Sequence, residues 1–216
     1  MARHSRTGGC AIAVYEVVSR DPTGDQGLYR VGGMDVSGRV WGATSAEQRA
    51  PYPCDRLVRA RSEGWTRAVD VAAPPHIVFS WLRQLTIAPY SYDWIDFRGR
   101  KSPRVLLARL PDLSVGQQFL VFEIASFTTD AHITGVLPEA HARRYGHMAV
   151  SYTVRPHGKG SRLVVKVVVE TGGTAGRRLL RRFLAWGDLI MMRKQLLTLK
   201  KLAEGVAAAD PGVATE

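Results

Sequence analysis

The densest group of side chains able to do chemistry lies at Tyr90, Tyr92, Asp93, Trp94 and Asp96, an aromatic run broken by carboxylates. Phenol hydroxyls can hydrogen-bond a ligand oxygen, a neighbouring carboxylate can orient them, and the rings can line the mouth of an apolar pocket. The same residues also suit a plainer task, plugging one end of a sheet while Asp93 caps a turn. His132, which shares a strand face with Asp130, Thr134 and Val136, and Tyr152, on a later strand, are further acid/base or hydrogen-bonding candidates. Glu123, flanked by Val121, Phe122 and Ile124, is either turned outward on a covered edge or inward toward a ligand.

Other chemistries lack their residues. The six histidines, at 4, 76, 132, 141, 147 and 157, form no paired metal-ligand spacing. There is no Gly-x-Ser-x-Gly elbow, and neither Cys10 nor Cys54 belongs to a nucleophile motif. The run Gly172-Gly173-Thr174-Ala175-Gly176 lacks the lysine of a phosphate loop and reads as a hinge into a helix. No metal and no cofactor is expected.

These residues need a scaffold, and hydrophobic periodicity supplies one. Trp65 to Val71 alternates as a strand, and Pro74-Pro75 opens a helix whose apolar positions Ile77, Val78, Trp81, Leu82 and Leu85 recur at three- and four-residue steps. Strands are predicted at Val105 to Leu110, Gln117 to Phe127, Asp130 to Pro138, Gly146 to Arg155 and Ser161 to Thr171. Met148, Val150, Tyr152 and Val154 would share the inner face of a one-sided antiparallel sheet with Leu163, Val165, Val167 and Val169. A proline-free stretch from Gly176 to about Gly205 forms a long helix, with Leu179, Leu180, Phe183, Leu184, Ile190 and Met191 on one arc and Arg177, Arg178, Arg181 and Arg182 opposite.

The expected division is residues 1–62 as an N-terminal extension packed on the main domain, 63–205 as that domain, and 206–216 as a disordered tail. The extension holds eight of the 21 glycines, carries plausible strands at Ala11 to Ser19 and Leu28 to Val31, and would be anchored by Trp41 and Tyr52. The order of elements is α+β, and a sheet bent around one helix leaves a gap between them. Trp81, Tyr90, Tyr92, Asp93, Trp94, Phe122, His132, Tyr152, Phe183 and Met191 are the candidates to line it.

Length and composition agree with a folded protein large enough to enclose a cavity. The chain has 216 residues, 45% of them hydrophobic, which excludes general disorder. Two cysteines are too few for a disulfide scaffold, and no apolar run approaches the roughly 20 residues of a membrane span, so a cytoplasmic location is expected. Thirty basic against 19 acidic residues leave a formal charge of +11. Eight of the positive charges fall in two clusters, Arg98, Arg100, Lys101 and Arg104, and Arg177, Arg178, Arg181 and Arg182. Such clusters suit either a solvated face or transient contact with an anionic membrane. Nucleic acid is not an expected partner, because the aromatics interleave with apolar rather than basic residues.

The pattern Arg67-Ala68-Val69, then Ala73-Pro74-Pro75 and Trp81-Leu82-Arg83-Gln84-Leu85, resembles the start of the SRPBCC superfamily, also described as START-like or birch-pollen-allergen-like. Ala88 to Asp96 and Trp41-Gly42-Ala43-Thr44 resemble its polyketide cyclase/dehydrase-like branch. The resemblance covers roughly residues 41 to 205. It implies a helix-grip fold, an antiparallel sheet wrapped around the C-terminal helix with an apolar cavity between them. It further implies binding of a hydrophobic small molecule such as a lipid or polyketide, for transport or sequestration. The alternative is a cofactor-independent cyclase, aromatase or dehydratase using the same cavity, with acid/base help from groups such as Tyr92, Asp93, His132 or Tyr152.

Overall fold

A computed structural model describes residues 38–59, 61–91, 101–172 and 175–209, with the side chains of the last helix described from Ala185 onward. Seven strands form one open, curved sheet in the order β1-β2-β7-β6-β5-β4-β3. They are β1 (Val40–Trp41), β2 (Ser62–Val71), β3 (Gln118–Phe119), β4 (Phe122–Thr128), β5 (His132–Val136), β6 (Met148–His157) and β7 (Gly160–Glu170). All neighbours are antiparallel except β1, which pairs parallel with β2. The helices are α1 (Ser45–Arg49), α2 (Pro75–Arg83), α3 (Glu139–Tyr145) and the long α4 (Ala175–Ala209).

The central hairpin follows from its alternation. Met148, Val150, Tyr152 and Val154 stand opposite Val169, Val167, Val165 and Leu163, and this apolar grid forms the inner face. Gly158 opens the two-residue turn with φ +57°, the left-handed first position that a type II′ hairpin asks of glycine. On α4, Ala185, Leu189, Met192, Leu196, Leu199 and Ala203 are buried at alternating four- and three-residue steps. That stripe packs on β2 and α2. Ile190, expected on the apolar arc, is half exposed, because it lies off that stripe. The helix continues to Ala209, so residues 206–209, read from sequence as tail, are helical.

The sheet is not one-sided. Ala43, Tyr52, Cys54 and Val58 cover its outer face, packing on Ala68, Ala149, Val164 and Val168. Ionic contacts fasten the cover. Arg162 takes both carboxylate oxygens of Glu47 at 2.7 and 2.9 Å, and Lys166 reaches Asp55 at 2.8 Å. The alternation correctly turned Arg162 and Lys166 away from the core, but they meet the preceding segment rather than water. Tyr52 lies in this cover, while Trp41 is partly buried against the inner core. The strands expected at Ala11 to Ser19 and Leu28 to Val31 fall outside the described residues.

Two further differences have local causes. Residues 105–110 form no strand: the buried Gln84 side chain holds them instead, accepting from the Leu107 N–H at 2.7 Å and donating to the Val105 carbonyl at 3.3 Å. The expected single strand over Gln117 to Phe127 folds back at Leu120, whose φ of +57° turns β3 into β4. Helix α3, between β5 and β6, has no counterpart among the expected elements.

Candidate functional site

The inner face of the sheet and the middle of α4 do not meet everywhere, and between them lies a cavity of about 1050 Å³. Its wall on the sheet side includes Trp65, Phe122, Met148, Tyr152 and Val167. Helix α4 supplies Gly187, Asp188, Met191, Met192 and Gln195, which fall on one helical arc. The mouth is edged by Ile87, Val121 and Tyr145, all substantially exposed. Gly135 on β5 makes room for one wall residue, since a Cβ there would come 2.8 Å from the Phe122 Cβ.

Polar groups are few and mostly spoken for. The fully buried Tyr152 hydroxyl donates to Gln195 Oε1 at 2.7 Å, and Gln195 Nε2 donates to the Pro89 carbonyl at 2.6 Å. Burial pushes the Tyr152 phenol far up, and the charge of Asp188 adds to that shift, so the hydroxyl stays protonated and is no base. Its ring meets Phe119 edge-on with centroids 5.3 Å apart.

Asp188 is the acidic group in the depth of the cavity, and it is paired. Arg67, on the inner face of β2 with no exposed side-chain surface, places Nη2 at 2.9 Å from Asp188 Oδ2. The same guanidinium donates to the Gly38 and Arg39 carbonyls at 3.0 and 3.1 Å. Asp188 Oδ2 is buried and, among the described residues, has no aligned hydrogen-bond donor, so Arg67 holds it by charge contact. A quarter of the Asp188 side-chain surface stays accessible, none of it on Oδ2, and Asp188 is part of the cavity wall. Burial raises the Asp188 carboxyl, and Arg67 opposes the rise. Burial likewise lowers the Arg67 guanidinium, and the Asp188 charge opposes that shift, so each member of the pair favours the charged form of the other.

Of the residues expected to line a cavity, Phe122, Tyr152 and Met191 do so. Trp81 and Tyr90 instead belong to the solid core, edge to face at 5.9 Å, with the Tyr90 hydroxyl accepting from Gln84 at 2.8 Å. His132 lies on the other face of the sheet from its inward neighbour Ile133, because successive strand residues alternate. Partial burial there lowers its imidazole below the usual value. Glu123 is exposed at the cavity's edge. Tyr92, Asp93 and Trp94 lie outside the described residues, as do Arg98 and Arg100. Phe183, Arg177, Arg178, Arg181 and Arg182 fall where α4 is described without side chains. Lys101 is exposed and is not a wall residue.

Arg67, Asp188 and Gln195 were not among the sequence candidates. A signal for two of them existed: Arg67 sits on the apolar face of an alternating strand, and Asp188 interrupts the apolar run Phe183 to Met192. Among the described residues no group of three or more His, Cys, Asp or Glu could hold a metal. No helix among them is long and apolar enough to cross a membrane.

No protein-family model and no curated protein matches the chain. Solved structures with a similar backbone include protein MLL2253 from Mesorhizobium loti, at 15% identity, covering 66% of this chain and 98% of that one with a TM-score of 0.40. The di-domain aromatase/cyclase StfQ of the steffimycin biosynthetic pathway aligns at 13% identity over 71% of this chain and 54% of its own, TM-score 0.41. Ara h 8.0201 aligns at 12% identity over 69% and 99%, TM-score 0.36. The open sheet curved around a long C-terminal helix, with a cavity between the two, is a helix-grip fold.

Proposed function

We propose that the protein binds a hydrophobic small molecule, of the size of a lipid or polyketide, between the sheet and α4. The observation that carries this reading is the cavity of about 1050 Å³ with Trp65, Phe122, Met148, Val167, Met191 and Met192 in its wall. Ligand sites of drug-sized molecules are concave, mainly apolar and furnished with few polar groups, and run to roughly 300 to 1000 Å³. The two methionines supply walls that adapt to more than one shape. Purified protein extracted into organic solvent should release a bound apolar compound detectable by mass spectrometry, and the emptied protein should take up the neutral dye Nile red. Failure of the emptied, folded protein to take up the dye would defeat the reading.

A catalytic reading, cyclisation or dehydration of a polyketide-like substrate, is favoured by one observation, the Asp188 carboxylate reaching an apolar cavity beside Tyr152. Acid/base catalysis would then rest on Asp188, since Tyr152 keeps its proton. Turnover of a poly-β-ketone by the wild-type protein and its loss in Tyr152→Phe together with Asp188→Asn would support this. Binding without turnover leaves the first reading alone.

A further inference from the structure

The proposed ligand site leaves open which end group the ligand carries, and the donors in the wall narrow the choice. The Tyr152 hydroxyl spends its proton on Gln195, Gln195 donates to Pro89, and the Thr86 hydroxyl donates to the Arg83 carbonyl. The Trp65 indole N–H goes to Glu63 at 3.1 Å. Acceptors remain open: the accessible side of Asp188, and Glu123 toward the rim. Among the described residues lining the cavity there is no lysine or arginine, the donors left over are His141 and Tyr145, both exposed on α3, and Arg67, behind Asp188, exposes no side-chain surface to it.

Asp188 also lacks something. Its Oδ2, which has no accessible surface, meets Arg67 by charge but accepts no aligned hydrogen bond among the described residues, which leaves Oδ1 as the oxygen a ligand can reach. A carboxylate has about four lone-pair sites, and a buried one left short of donors is stabilised by any donor that reaches it.

Resting on the ligand-binding reading, we propose that Asp188 anchors the ligand, so that the cavity selects an apolar molecule ending in a hydrogen-bond donor, a hydroxyl or protonated amine, over a matched molecule ending in a carboxylate. A donor meets the open carboxylate oxygen while the chain lies along Phe122, Val167 and Met191. A terminal carboxylate meets Asp188 as a like charge in a poorly solvated space, which costs affinity. A hydrogen bond to a charged group is worth about tenfold or more in affinity.

The test is competition against Nile red by 1-dodecanol, dodecylamine and dodecanoate at pH 8, using the full chain. The alcohol and the amine should displace the dye at concentrations at least tenfold below dodecanoate. Stronger displacement by the amine identifies an ion pair at Asp188, and stronger displacement by the alcohol a neutral donor; both support the anchor. Dodecanoate competing equally or better overturns it while dye uptake keeps the cavity reading intact. Failure of the folded protein to take up dye overturns both. The paired variant Arg67→Met with Asp188→Leu leaves no buried charge unmatched and should treat the three competitors alike; a preference that survives in it also overturns the proposal. Should that variant fail to fold, the wild-type ranking decides.

Discussion

Arg67 couples three segments through one guanidinium, since its nitrogens reach Asp188 on α4 and two carbonyls of the chain entering β1. Removing one member of such a pair strands a buried charge, which typically costs about 3 to 5 kcal/mol, whereas replacing both by apolar groups is often neutral. Arg67→Met alone should therefore lower the urea midpoint sharply, and adding Asp188→Leu should restore most of it. Tyr152→Phe keeps the packing against Phe119 and leaves Gln195 Oε1 without its donor, an expected loss of about 1 kcal/mol in denaturant titration. On the outer face, burial raises the Cys54 thiol to about 11, so it stays a thiol at pH 8. In a Cys10→Ser background the native protein should react with a thiol reagent only as fast as it unfolds. Tyr152 was legible because a strict period of two leaves it no other face. The ion pair was not, because each partner is polar in an apolar pattern and finds its counterpart on an element distant in the chain.

Among the elements, α4 is asymmetric. Its C-terminal half, from Leu196 to Ala203, is packed, whereas Gly187, Asp188, Met191, Met192 and Gln195 look into the cavity. A Cβ on Gly187 meets nothing within 4 Å, and glycine costs a helix interior about 1 kcal/mol relative to alanine. Gly187→Leu should consequently hold or raise the melting temperature while cutting Nile red uptake, a separation that a merely structural role for the position would not produce. The order of strands and helices was readable wherever both faces of an element had contrasting neighbours. It failed at residues 105–110, where a single buried side chain, Gln84, takes over the backbone pairing that a neighbouring strand would supply. It failed again at α3, whose sequence Glu139 to Tyr145 holds only one buried residue, Ala142, and so carries no apolar stripe to detect.

At the scale of the molecule, the segment before β2 works as a brace across the back of the sheet. Its α1 is closed by a capping box between Thr44 and Glu47, and Glu47 is also the partner of Arg162. Burial would push the Glu47 carboxyl up, but the hydrogen bonds and charge of Arg162 and the Thr44 backbone outweigh it and hold it below 4.5. A carboxyl lowered on folding contributes stability above its unfolded value and loses it as the pH falls through the lower folded one. Acid unfolding should therefore steepen below pH 4.5, and Glu47→Gln should flatten that part of the curve while destabilising the protein at pH 7. The brace has a consequence for motion. With the back of the sheet clamped through Arg162 and Lys166 and the buried stripe of α4 seated on β2 and α2, the arc of α4 that lines the cavity faces that space rather than packed side chains. Amide hydrogens over residues 187–192 should exchange with deuterium sooner than those over 196–203, and a bound apolar molecule should slow the first set toward the second, making α4 a helix whose rigidity depends on what fills the cavity.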